Sequence, residues 1–209
     1  IKYSNEKEKE LSMTFNFHHL KVDYKDGDKW SDMDFDFMKL KELFNSWQTE
    51  MDNGGGWNAL FWCNHDQPRI VSRFGNDKEF HRESATMLAT AIHMMKGTPY
   101  IYQGEEIGMT NAYFESIDKY RDVESLNYYD ILTKEKPQNE VLGVLQKKSR
   151  DNSRTPMQWD SSKNAGFSTG TPWLGVCKKY KDINAEKALE DKNSVFYHYK
   201  KLVALRKEY

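Results

Sequence analysis

Hydrophobic and polar positions along this chain change period several times, and each change predicts an element. From Leu11 to Leu20, the residues Leu11, Met13, Phe15 and Phe17 alternate with smaller or polar neighbours, which predicts a strand. Lys21 to Trp30 reads as a polar turn with Asp26-Gly27 at its tip. After Asp36 the period lengthens. Leu40, Leu43, Phe44, Trp47 and Met51 recur at helical spacing, and Asn53 with Gly54, Gly55 and Gly56 ends that helix. Trp57 to Trp62 is a short aromatic and apolar run, whose length and glycine flank favour a buried strand over a helical turn. Lys78 to Lys96 carries Ser84, Met87, Leu88, Ala91, Ile92 and Met95 on one helical face, with its methionines expected in the core. Gly97 and Pro99 stop it, and Pro99 to Gln103 predicts a third strand, followed by Gly104-Glu105-Glu106. Thr110 to Trp173 reads as a long polar excursion with one short amphipathic helix around Val141 to Lys148. Ser194 to Lys207 predicts a last helix that buries Val195, Phe196, Tyr199, Leu202 and Val203.

Strand, helix, strand, helix, strand is the order expected of an α/β fold with a parallel sheet and right-handed crossovers. The chain is organised around the second strand and the polar segment directly after it. Trp62 and Cys63 give way without a spacer to Asn64, His65, Asp66, Gln67 and Arg69, and Pro68 ends any strand ladder. Hydrogen-bonding and ionisable groups gathered at the end of a buried strand suit a site on a parallel α/β sheet. As a bare loop, the same residues would simply cap the strand.

Composition narrows the function classes. The 209 residues suffice for one domain with a real core, but 30% charged residues and a mean hydropathy of −0.89 are polar for a self-contained one. A net charge of −1 gives no footprint for nucleic acid or an anionic membrane, and no apolar stretch reaches the length that spans a bilayer. Cys63 and Cys177 form no disulfide framework, so a reduced, cytoplasmic setting is expected. Cys63 and His65 are two candidate metal ligands, too few for a zinc site, and neither metal nor cofactor is expected.

Asn-His-Asp-Gln-Pro-Arg, residues 64–69, resembles the last signature segment of the α-amylase superfamily of glycoside hydrolases. Within it the chain looks like the oligo-1,6-glucosidase and trehalose-6-phosphate hydrolase branch. The resemblance extends through Glu10 to Tyr24, Gly97 to Asn111, Tyr120 to Asn127 and Ser149 to Trp159. It implies the last three βα units of a (β/α)8 TIM-type barrel, incomplete in this chain. Leu11 to Phe17 would be the sixth strand, Asn58 to Trp62 the seventh and Tyr100 to Gln103 the eighth. Residues 1–209 are then expected to be the C-terminal portion of a glycosidase catalytic domain, without the N-terminal barrel half or the β-sandwich domain that follows the barrel in the family.

The resemblance also assigns roles. The nucleophile and the acid/base of a retaining glycosidase would lie upstream of Ile1. Asp66 is similar to the third acidic residue, which binds sugar hydroxyls and stabilises the oxocarbenium-like transition state. His65 is similar to the histidine that donates to the same hydroxyls. Arg150 matches an arginine that pairs with the site, and Arg154 is the weaker candidate of the same motif. Glu124 matches a glutamate lining the substrate subsites. For Arg150 and Glu124, the residues alone equally suggest a surface ion pair. Gln103 to Glu106 would support the site floor, while Asn64, Gln67 and Arg69 would hold the loop.

Phe17 to Tyr24 looks like the trehalose-6-phosphate hydrolase version of its segment, with Lys21 where the oligo-1,6 branch typically has an acidic residue. The implied substrate is a small-molecule sugar phosphate, with Lys21 facing the phosphate. The alternatives are an uncharged isomalto-oligosaccharide substrate or a non-catalytic barrel relative used for binding or scaffolding. Neither nucleic acid nor membrane is an expected partner. Three βα units alone would leave open edges, so the isolated chain is expected either to be stabilised by self-association or to be one piece of a longer chain.

Overall fold

The computed structural model describes all residues, Ile1 to Tyr209. The chain divides into two compact units. One comprises residues 1–62 and 91–100, the other residues 63–90 and 101–209.

The first unit holds a parallel three-stranded sheet in the order β1 (Thr14–Phe15), β2 (Asn58–Phe61), β3 (Thr98–Tyr100). Thr14 pairs with Asn58, and Leu60 with Pro99. All four residues of β2 are buried, as a central strand covered on both faces must be. Helix α1 (Phe37–Asn53) begins where Asp36 accepts the Lys39 N–H at 2.9 Å, and it ends at Gly54. It buries Leu40 and Met51, with Leu43, Phe44 and Trp47 half-buried. His19 is buried among the rings of Phe44, Trp47, Phe61 and Trp62, and its Nε2 is 2.8 Å from the Phe61 carbonyl. Gly97 has φ +144, and a Cβ there would come within 2.6 Å of the Asn58 carbonyl oxygen. Only glycine lets β3 enter beside β2.

In the second unit, α2 (Ile70–Phe74) follows the polar loop, and α3 (His81–His93) starts in this unit. Then come α4 (Val123–Leu132), α5 (Gln138–Lys148), the single turn α6 (Asp151–Arg154), α7 (Ala185–Glu190) and α8 (Val195–Glu208). Val71, Ala85 and Ala89 pack with Val195, Tyr199 and Leu202 of α8. Ile107, Met109 and Met157 form a second cluster with Ala188 and Phe196 packed against it. No helix is long and apolar enough to cross a membrane.

Three expectations are corrected. The strand expected over Leu11 to Leu20 is two residues long, and Leu11, Phe15 and Phe17 are exposed while residues 18–21 wind into a 3-10 turn. Alternation supplied the side chains, but only Thr14 and Phe15 have a partner strand. Met87 is 53% exposed because the buried stripe of α3 runs through Ser84, Ala85, Leu88, Ala89 and Ile92. Thr110 to Trp173 is no polar excursion. It carries the helix expected around Val141 to Lys148, which is α5, and in addition α4 and α6, and it buries Tyr120 and Met157.

Candidate active site

The loop after β2 is held from within. Asn64 Oδ1 accepts the Asp66 N–H at 2.8 Å, the local turn for which asparagine is suited. Cys63 Sγ accepts the Ile70 N–H at 3.1 Å and lies 3.5 Å from the Pro68 carbonyl, spanning the loop. Burial, with the charge of Glu105 adding to it, pushes the Cys63 thiol up, so it stays a neutral brace. Gln67 Oε1 accepts from Arg73 at 2.7 Å. Arg69, 1% exposed, donates to the carbonyls of Gln103 at 2.5 Å and Ser153 at 3.4 Å, and its backbone N–H reaches Asn111 Oδ1 at 2.9 Å. Asn64, Gln67 and Arg69 therefore hold the loop as expected, and Arg69 ties it to α6.

Two side chains of this loop remain outward. The Asp66 side chain is 42% exposed and that of His65 is 71% exposed, with His65 Nε2 3.2 Å from Asp66 Oδ2. On the opposite oxygen, Asp66 Oδ1 accepts from Arg154 Nη2 at 2.8 Å and from Arg150 Nη1 at 3.4 Å. Arg154 Nε also donates to the His65 carbonyl at 2.7 Å. Four positions apart across the α6 turn, the two arginines face the same way. Of the two, Arg154 makes the shorter contact with Asp66. Glu124 lies in the first turn of α4, with Oε2 3.1 Å from Arg150 Nε.

Asp122 was absent from the sequence candidates, yet it is the residue to which both arginines converge. Its side chain is 2% exposed. It accepts from Arg150 Nη2 at 2.7 Å, from Arg150 Nε at 3.1 Å and from Arg154 Nη1 at 3.1 Å. It is also the N-cap of α4, accepting the Ser125 N–H at 3.2 Å. Burial pushes its carboxyl upward, but the Arg150 hydrogen bonds and charge, the Ser125 N–H and Arg154 together outweigh that and hold it below the usual range. Arg150 is correspondingly raised, first by its hydrogen bond to Asp122. The available signal was the Asp-x-x-Ser cap pattern at residues 122–125, which marks a helix start but says nothing of arginines 28 and 32 residues away.

Asp66, His65, Arg150, Arg154 and Glu124 thus form one cluster in the second unit, joined by Asp122. Lys21 belongs to the first unit, exposed at the end of the 3-10 turn His18–Lys21. Chemically, the cluster presents a half-exposed carboxylate with one oxygen fixed by two guanidinium groups. Such a group can accept hydrogen bonds from a polyhydroxylated ligand without reorganising.

Over its full length the chain is 64% identical to the trehalose-6-phosphate hydrolase of Bacillus subtilis (strain 168) and spans 37% of that protein's length. It is 54% identical to the oligo-1,6-glucosidase of Bacillus cereus over 98% of the chain and 37% of that protein. The crystal structure of Bacillus licheniformis trehalose-6-phosphate hydrolase superimposes with a TM-score of 0.98 at 64% identity, covering 100% of this chain and 38% of that one. The alpha-amylase catalytic-domain model matches residues 1–209 throughout. The chain belongs to the alpha-amylase catalytic-domain family, a TIM-barrel family of glycoside hydrolases.

Proposed function

We propose that this chain is the C-terminal portion, residues 1–209, of the catalytic barrel of a retaining α-glucosidase that hydrolyses trehalose 6-phosphate to glucose and glucose 6-phosphate. Its three strands are then the last three of the eight, and the nucleophile and acid/base belong to the part of the barrel that precedes them. The observation that carries the reading is the Asp66 carboxylate, half-exposed and held on one oxygen by Arg150 and Arg154. Its other oxygen, 3.2 Å from His65 Nε2, has a further lone pair to accept a sugar hydroxyl, in a hydrogen bond that tightens as the ring flattens and lowers the barrier selectively. His65 donates to the same hydroxyl, while Glu124 borders the subsite through its pair with Arg150. Two free, buried thiols fit a reducing, cytoplasmic setting.

Lys21 is the proposed phosphate contact, an exposed ammonium suited to a dianion. The 54% identity to an oligo-1,6-glucosidase supports the second reading, hydrolysis of isomalto-oligosaccharides. The test is turnover of trehalose 6-phosphate against isomaltose by the full-length protein, with Lys21→Ala alongside. The proposal expects preference for the phosphorylated sugar, and in the variant a KM raised about tenfold for that sugar but unchanged for an aryl α-glucoside. Preference for isomaltose supports the second reading, and turnover of neither refutes both. Equal effects of Lys21→Ala on both substrates remove Lys21 from phosphate binding.

A further inference from the structure

We infer that Asp122 is a positioning residue for the sugar-binding carboxylate. It holds Arg150 and Arg154 at a fixed distance, so that Asp66 is oriented by them without being neutralised. The inference deepens the proposed function and rests on it.

The geometry is asymmetric between the two carboxylates that share the arginines. Arg150 meets Asp122 at 2.7 Å and Asp66 only at 3.4 Å. Arg154 is divided, at 3.1 Å from Asp122 and 2.8 Å from Asp66. Asp122 is the buried partner, and Asp66 is the open one. A fully desolvated carboxylate binds guanidinium more strongly than one in contact with water, so the buried partner sets where the forks lie.

Asp122 is itself anchored from behind. Asp151 Oδ2 accepts the backbone N–H groups of Arg121 at 2.7 Å and Asp122 at 3.0 Å. Ser125 N–H and Oγ, at 3.2 and 3.3 Å, fix the Asp122 side chain as the cap of α4. The positive end of that ten-residue helix adds to the hold. Asp151 belongs to the same turn as the arginines it indirectly orients, so the two segments brace each other.

Removing the charge of Asp122 while keeping its shape frees both guanidinium groups to close on Asp66. With a guanidinium group added on Oδ2, where His65 already lies at 3.2 Å, Asp66 has no lone pair left for a sugar hydroxyl, so the transition state suffers more than ground-state binding. Asn is an equally good N-cap, which leaves the start of α4 intact in Asp122→Asn.

The experiment measures kcat and KM for an aryl α-glucoside, per titrated active site, in the full-length protein, Asp122→Asn and Asp122→Glu. Asp122→Asn is expected to lose about 30-fold in kcat with KM changed less than about threefold, and Asp122→Glu, which restores the charge, to recover most of the loss. A kcat for Asp122→Asn within threefold of the parent overturns the inference. So does an equal loss in Asp122→Glu, which marks a packing role. Should Asp122→Asn fail to fold, Ser125→Ala, which deletes a hydroxyl 3.3 Å from Asp122 Oδ2 and 2.7 Å from Ser149 Oγ, is read instead. There, kcat lowered about threefold at constant KM supports the inference, and an unchanged kcat overturns it. A parent protein without activity on any α-glucoside refutes the proposed function itself, a result distinct from each of these.

Discussion

Replacing Glu105 by glutamine should stabilise the protein at pH 8 and leave it nearly unchanged at pH 5. Glu105 is 7% exposed, and its carboxyl is pushed up to about 7 from the ordinary 4.5. Burial is the main cause, opposed by the Tyr102 N–H and the charge of Arg69 and reinforced by the charge of Glu106. Between those two values the folded protein keeps a proton that the unfolded chain has lost. The neutral carboxyl's contribution is therefore fully present below pH 4.5 and is lost as pH rises through about 7. At about 1.4 kcal/mol per pH unit, the interval corresponds to about 3 kcal/mol of stability lost by pH 8.

Glutamine keeps the shape without the titration. Its carbonyl oxygen takes the Tyr102 N–H, now 3.0 Å from Glu105 Oε2, and its amide faces the Tyr199 hydroxyl, now 3.5 Å from Oε1. An amide matches the hydrogen bonds of a neutral carboxyl only in part, so the recovery at pH 8 should be about 1–2 kcal/mol rather than the whole. Urea unfolding of the full-length protein and of Glu105→Gln at pH 5 and pH 8 measures this directly. Neither the Cys63 thiol nor the Tyr199 hydroxyl confuses the comparison, because burial pushes both up, away from this pH range. A stability difference that is the same at both pH values, or a variant less stable than the parent at pH 8, would refute the reasoning.

Two further outcomes concern the same unit. Asp66→Asn should lower kcat by about 100-fold or more while the melting temperature stays close to that of the parent, because the side chain is 42% exposed. A two- or threefold loss would make Asp66 a structural residue. Gly104→Ala should cost about 2 kcal/mol in unfolding free energy, since φ is +89 and the new methyl would meet Met109 Sδ and Arg69 Nη1. A variant as stable as the parent by urea titration would show that this turn yields more easily than its geometry implies.

Much of the architecture was legible because it is encoded locally. The stripe from Leu40 to Met51, the cap at Asp36 and the glycines after Asn53 each act within one or two turns of chain, and α1 obeys them closely. The buried run of β2 was equally plain. Readings failed where the decision was made by distant partners. Leu11 and Phe17 alternate like strand residues, but pairing with β2 is confined to Thr14 and Phe15. The stretch after Thr110 looked polar apart from the helix around Val141 to Lys148, yet Tyr120 and Met157 are buried too. For the site, the motifs brought out Asp66, His65 and both arginines. Asp122 escaped because nothing near it in sequence reveals that two guanidinium groups will arrive.

Charge in the cluster is distributed so that water settles where it concentrates. Asp66, Asp122 and Glu124 supply three carboxylates against the two guanidinium groups of Arg150 and Arg154, so among these five groups one negative charge is left uncompensated. A buried group is the costliest place for that charge, and Asp122, 2% exposed, takes the closest contact with Arg150. The excess therefore falls towards Asp66 and Glu124, which water still reaches. In the proposed reaction a sugar ring displaces that water as positive charge develops at the reacting carbon. Attraction to Asp66 then strengthens as the local dielectric falls, at the stage where it lowers the barrier. An additional positive charge in the cluster would cancel this, which is why the arginines must be held by a second carboxylate and not by Asp66 alone.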